Sequence, residues 1–158
     1  MATFAQHIAT LEGFAARAIP GAEAAANAMA DEFKPAVQSV LLSRRHPFAT
    51  KTPSAPGEPP AAISGALAGS IMNEPAVPIG ADAFLAKSGP TTRYSRIQEL
   101  GGPMEGHPMM QWHEDGVRYR SRAHSLPPRP YMKPTLEAVA PELGEGAAAA
   151  FAAIVYGG

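Results

Sequence analysis

The chain has 158 residues, with 13 Lys and Arg against 14 Asp and Glu, a formal net charge of −1. That length suits one ordinary domain with a real core, and the near-neutral balance excludes a protein held on nucleic acid or on an anionic membrane by its overall field. The absence of cysteine excludes disulfides, thiolate metal sites and cysteine nucleophiles together. Seventeen prolines and 15 glycines, with only 17% charged residues, imply ordered turns, extended arms and surface destined for partners.

Phe4, Ile8, Leu11 and Phe14 recur at helical spacing after Thr3, a capping residue, which predicts a first helix from Thr3 to Ala18. Met1 to Ile19 lacks the basic start and unbroken apolar centre of a signal peptide. Pro20-Gly21 should break this helix. A second should run from Ala22 to Leu42 along Met29, Phe33, Val37, Val40 and Leu41, kinked or broken near residues 31–34 by Pro35. The segment from Ser43 to Ala61 carries Arg44, Arg45 and five prolines without apolar periodicity. It reads either as an arm reaching a neighbouring subunit or as a disordered surface excursion.

Ser64 to Ser70 predicts a short small-residue helix, followed by a strand over Ile71 to Pro78. A second strand, Ala83 to Lys87, should form a hairpin with it and end at Ser88-Gly89-Pro90. Tyr94, Ile97 and Leu100 share one face of a short helix that starts near Thr91 or Thr92 and stops at Gly101-Gly102-Pro103. Two more strands, Met109 to His113 and Val117 to His124, flank Asp115-Gly116, a hairpin signal. The run Leu126-Pro127-Pro128-Arg129-Pro130-Tyr131 pins the backbone and holds Arg129 on a stiff arm before a last helix. That helix is expected over Pro134 to Leu143, with a break at Gly144 and Gly146 and a final helical run from Ala147 to Val155. No stretch has the roughly 18 to 20 consecutive apolar residues of a membrane span, so a soluble protein without membrane contact is expected. Helices, then strands, then a helix predict an α+β fold.

His113-Glu114-Asp115 is the densest cluster of metal-ligating types, but neighbours on a strand point to opposite faces and cannot readily converge on one ion. Nucleophile elbows, phosphate loops and dinucleotide fingerprints do not occur, so neither a catalytic residue nor a cofactor is expected. Charge is more telling. Arg118, Arg120, Arg122 and His124 alternate with Val117, Tyr119, Ser121 and Ala123, giving a strand one basic face. Arg129 and Lys133 extend that run, whereas Glu137, Glu142 and Glu145 follow without a basic neighbour. Such separated signs suit a heterologous contact between subunits of a ring; the same face could instead screen DNA phosphates or be simply solvated. Trp112 and Tyr131 are candidate interface anchors, with core burial as the default for large aromatics.

The segments Ser64 to Ile71, Tyr94 to Gly102 and Leu126 to Tyr131, in this order, resemble the neck or tail-completion proteins of long-tailed bacteriophages, the group of the lambda minor tail protein Z. The resemblance runs from about residue 35 to the C-terminus. It implies a virion structural protein at the head–tail connection, made in the host cytoplasm and assembled as a closed ring of six subunits around the DNA path. Its implied partners are copies of itself, head-closure or adaptor proteins, and tail terminator or tail tube proteins, with non-specific contact to double-stranded DNA in the lumen. A tail terminator or head-closure ring is the nearest alternative, and a small metal-dependent hydrolase the alternative of another class. The interface residues expected are Arg118, Arg120, Arg122, Arg129, Glu137 and Glu142 from the charge pattern, Tyr131 as an aromatic anchor, and Arg44 and Arg45 from the proline-rich arm.

Overall fold

The computed structural model describes residues 3–47, 50, 54–104, 123–157 and, for the backbone, 110–111 and 118–119. The fold is α+β: the described residues form two long helices flanking two short helices and three two-stranded antiparallel sheets. Helix α1 runs unbroken over Phe4–Leu42. Its start is the expected one, Thr3 forming a capping box with Gln6.

The break at Pro20-Gly21 and the interruption before Pro35 do not divide the helix. Both prolines lie on its solvent side, where water can satisfy the freed carbonyls. Gly21, facing inward, is buried and lets α4 (Met132–Tyr156) approach: a β-carbon there would stand 3.0 Å from both Phe151 and Val155. Helix α4 is likewise continuous through Gly144 and Gly146, contrary to the expected break. Glu32 of α1 occupies the space a side chain at Gly146 would need, so that glycine permits contact between the helices rather than ending one. Phe14 meets Tyr156 edge to face at 5.5 Å, Gly21 meets Phe151, and Glu32 meets Gly146, an antiparallel pairing. As one 25-residue element, α4 is by length and composition long and apolar enough to cross a membrane, which a helix broken at Gly144 would not be.

The core sits at the C-terminal half of α1. Phe33, Val37 and Leu41, four apart on one stripe, pack with Ala68, Ile71, Tyr131 and Leu143. Met29, placed on that stripe by periodicity, is exposed instead. Helix α2 (Ala66–Gly69) leads into β1 (Ile71–Pro78), which pairs with β2 (Phe84–Pro90) as the expected hairpin. Strand β2 continues through Ser88-Gly89-Pro90, where a stop was expected, because Pro90, Gly89 and Ser88 face Ile71, Met72 and Asn73 on the partner. The register slips between Glu74 and Val77, and Asn27 of α1 accepts the Ala76 N–H at 2.8 Å, satisfying a donor at the irregularity.

Helix α3 spans Ser95–Leu100, later than the expected start at Thr91 or Thr92, because Thr91 is held by the Ser70 carbonyl through its N–H at 3.0 Å. Strands β3 (Gly102–Met104) and β6 (His124–Leu126) pair, as do β4 (Met110–Gln111) and β5 (Arg118–Tyr119). Of the single strand expected over Val117 to His124, the described residues fall in two elements, β5 and the start of β6, which pair with different strands. Trp112 and the Glu114-Asp115-Gly116 turn lie outside the described residues.

Candidate functional site

The proline run is a junction where distant segments meet. It leaves β6 at Leu126 and enters α4 at Met132. Gly101, at φ +66°, stops α3 and lies directly against the run: a β-carbon there would stand 2.7 Å from the Leu126 carbonyl oxygen and the Pro128 nitrogen. The conformation and the close approach both require glycine. The Arg129 N–H donates to the Gln98 carbonyl at 2.7 Å. Glu99 then caps α4: its Oε2 accepts from the N–H groups of Tyr131 (2.7 Å) and Met132 (3.0 Å), and its Oε1 from Lys133 (3.2 Å). One carboxylate thus satisfies three backbone donors of a helix that has no side-chain cap of its own.

The proline-rich segment folds back onto this junction, so its described part is not a projecting arm. Ala62 donates to the Arg44 carbonyl at 2.9 Å and His46 to the Ala62 carbonyl at 3.1 Å. Gly57 donates to the Pro128 carbonyl at 2.9 Å, and Arg129 Nη2 to the Ser54 carbonyl at 3.2 Å. Between this segment, α2, α3 and Arg129 lies a cleft of about 350 Å³, walled by Leu41, Ile63, Leu67 and Tyr94, with His46, Thr50, Ser54, Ser64, Gln98 and Arg129 as polar lining. Parts of the three segments that carry the phage resemblance line this one cleft.

The expected site residues are dispersed. Arg129 is half-buried and turned onto its own chain, not held outward. Tyr131 is fully buried in the core and cannot be a surface anchor. Its hydroxyl is buried with no hydrogen-bond partner, and burial, then the charges of Glu99 and Tyr94, push its pKa up to about 12. Glu137 is exposed and has a basic neighbour after all, Lys133 at 3.7 Å one turn earlier. Glu142 is exposed further along α4, beside a groove shared with Glu32 and Glu145. Arg44 pairs with Glu58, whose carboxyl is held below its usual range by the Arg44 hydrogen bond and the Ala55 N–H. Arg45 is exposed and forms a parallel bridge with Ala62. The side chain of Arg118, and Arg120, Arg122 and the His113-Glu114-Asp115 cluster, lie outside the described residues. Among the described residues no three metal-ligating side chains come together.

Sequence reasoning missed Glu99, Gln98 and Ser54. Glu99 stood within the quoted Tyr94 to Gly102 segment, but a capping box places its acid three residues from the cap, whereas Glu99 precedes Tyr131 by 32 positions. Comparison with family models, curated proteins and solved structures finds no match to this chain.

The unpartnered Tyr131 hydroxyl gives a test of the junction. Below pH 10 the phenol is protonated in folded and unfolded chains alike, so it adds no pH dependence. Between pH 10 and about 12 the unfolded chain releases this proton and the folded chain retains it, so stability falls as pH rises, by on the order of 2 to 3 kcal/mol in total. Tyr131→Phe should leave stability at pH 7 unchanged or higher and remove this share of the alkaline loss, read from urea midpoints between pH 8 and 12. Equal alkaline slopes in the two proteins would refute the assignment.

Proposed function

We propose that this protein is a structural subunit of the head–tail connection of a long-tailed bacteriophage, assembling as a closed ring of six copies around the DNA path. The observation that carries the reading is the apolar surface. Among the described residues, 17 large apolar side chains are exposed, against 10 buried apolar residues of which three are alanines. Phe4 is 80% exposed, Leu11 65% and Tyr156 65%, the first two on the N-terminal part of α1 and the third at the end of α4. Surface of this kind is covered in assemblies. The meeting of the three resemblance segments at one cleft fits a joint that sets how α4 docks.

In this reading the neighbouring head-closure or adaptor protein and the tail terminator or tail tube protein bind above and below the ring. The basic residues Arg118, Arg120 and Arg122 would face the next subunit or the DNA lumen. Native mass measurement and electron microscopy of the purified chain should show a closed ring of identical subunits, and particles should contain it at the neck. A monomer at every concentration, together with absence from particles, would overturn the reading.

A further inference from the structure

The cleft at Arg129 contains a charge that has no counter-charge among the described residues. Arg129 is half-buried, and among the described residues no carboxylate lies within ion-pair distance of it. Its Nη2 donates to the Ser54 carbonyl, while its Nε is buried with no acceptor. Ser54 is 7% exposed and its Oγ is also buried without a partner. A guanidinium nitrogen withdrawn from water without an acceptor costs free energy. The remaining wall is mixed, with Leu41, Ile63 and Leu67 apolar and His46, Thr50 and Gln98 polar, and about 350 Å³ is the size of a small-ligand pocket.

We propose that this cleft is a carboxylate-binding site, which takes an acid group carried on a short apolar stem. The planar fork of Arg129 matches the two oxygens of a carboxylate, and Leu41, Ile63 and Leu67 hold the stem. The acid has two sources: a free aliphatic carboxylic acid, or a glutamate of a second copy of this chain. The second source rests on the ring reading above; the first does not.

Isothermal titration of the full chain with 4-methylpentanoate, using 4-methylpentan-1-ol as the uncharged control, tests the site. The carboxylate should bind saturably one to one and the alcohol about tenfold or more weaker, the scale of one charge-assisted hydrogen bond. Arg129→Gln should lose about as much, and Arg129→Lys should recover part of it by keeping the charge without the fork. Ile63→Trp, at a cleft position 55% exposed, should block binding with the melting temperature unchanged, which keeps the test decisive if Arg129→Gln fails to fold.

If a second copy supplies the acid, 4-methylpentanoate should dissociate the assembled species, and a folded Arg129→Gln should be monomeric. If a free acid is the ligand, assembly should be indifferent to both. Equal binding of acid and alcohol with assembly untouched by Arg129→Gln overturns the proposal and leaves the ring standing, and so does undiminished binding by Ile63→Trp. A monomer that binds the acid selectively overturns the ring and leaves the site standing.

Discussion

Glu99→Ala is expected to lower the stability of the fold by about 2 to 4 kcal/mol, as the loss of a helix cap, of charge–dipole attraction and of hydrogen bonds to a charged acceptor together. The Glu99 carboxylate is the acceptor for the first three N–H groups at the start of α4, and it belongs to α3, so the substitution both uncaps α4 and cuts its tie to the preceding helix. Its half-buried position limits how well water can replace it. Glu99→Gln keeps an oxygen acceptor but loses the charge and one oxygen, and should fall between wild type and alanine. Urea unfolding measures this directly: the midpoint should drop while the slope stays constant. A loss below about 0.5 kcal/mol for the alanine variant would mean that the cap is not formed in solution.

Ile71→Ala should cost about as much or more, about 2 to 5 kcal/mol by the behaviour of large-to-small core substitutions. Ile71 opens β1 and is completely buried in the cluster that joins α1, α2, Tyr131 and Leu143. A cavity there is bordered by a helix stripe, a strand and a helix start, none of which can move inward without disturbing the others. Met72, the next residue, points to the other face and is 53% exposed, so Met72→Ala should change stability by less than about 0.5 kcal/mol. Parallel thermal or urea melts of the two variants make the comparison. Similar losses would show that β1 does not present alternate faces to core and solvent as described.

Both experiments concern residues whose importance was unequally visible beforehand. Ile71 was legible as the start of a strand, since a β-branched residue after a run of small ones is a local signal. Glu99 was not legible as a cap, since its partners lie beyond two further strand pairs and no spacing rule reaches that far. The same division runs through the candidate site. Arg129 stood out because prolines surround it, yet the direction of its side chain depended on where Ser54 came to lie. Tyr131 read as a candidate anchor with core burial as the default, and the meeting of α1, β1 and α4 placed it in the core.

The sequence by itself determined the α+β class, the capped start of α1 at Thr3, the β1–β2 hairpin and the end of α3 at Gly101, because caps, alternation and a left-handed glycine act within a few residues of chain. Tertiary structure decided that Pro20 and Pro35 leave α1 whole and that Gly144 and Gly146 leave α4 whole. The local cost of such residues is a few kcal/mol at most, and burial of the long α1–α4 seam, with the prolines turned to water and the glycines admitting close contact, outweighs it. It also decided the pairing of β3 with β6, the fold-back of the proline-rich segment and the cleft at Arg129, each of which joins residues too far apart in the chain for any local pattern to announce.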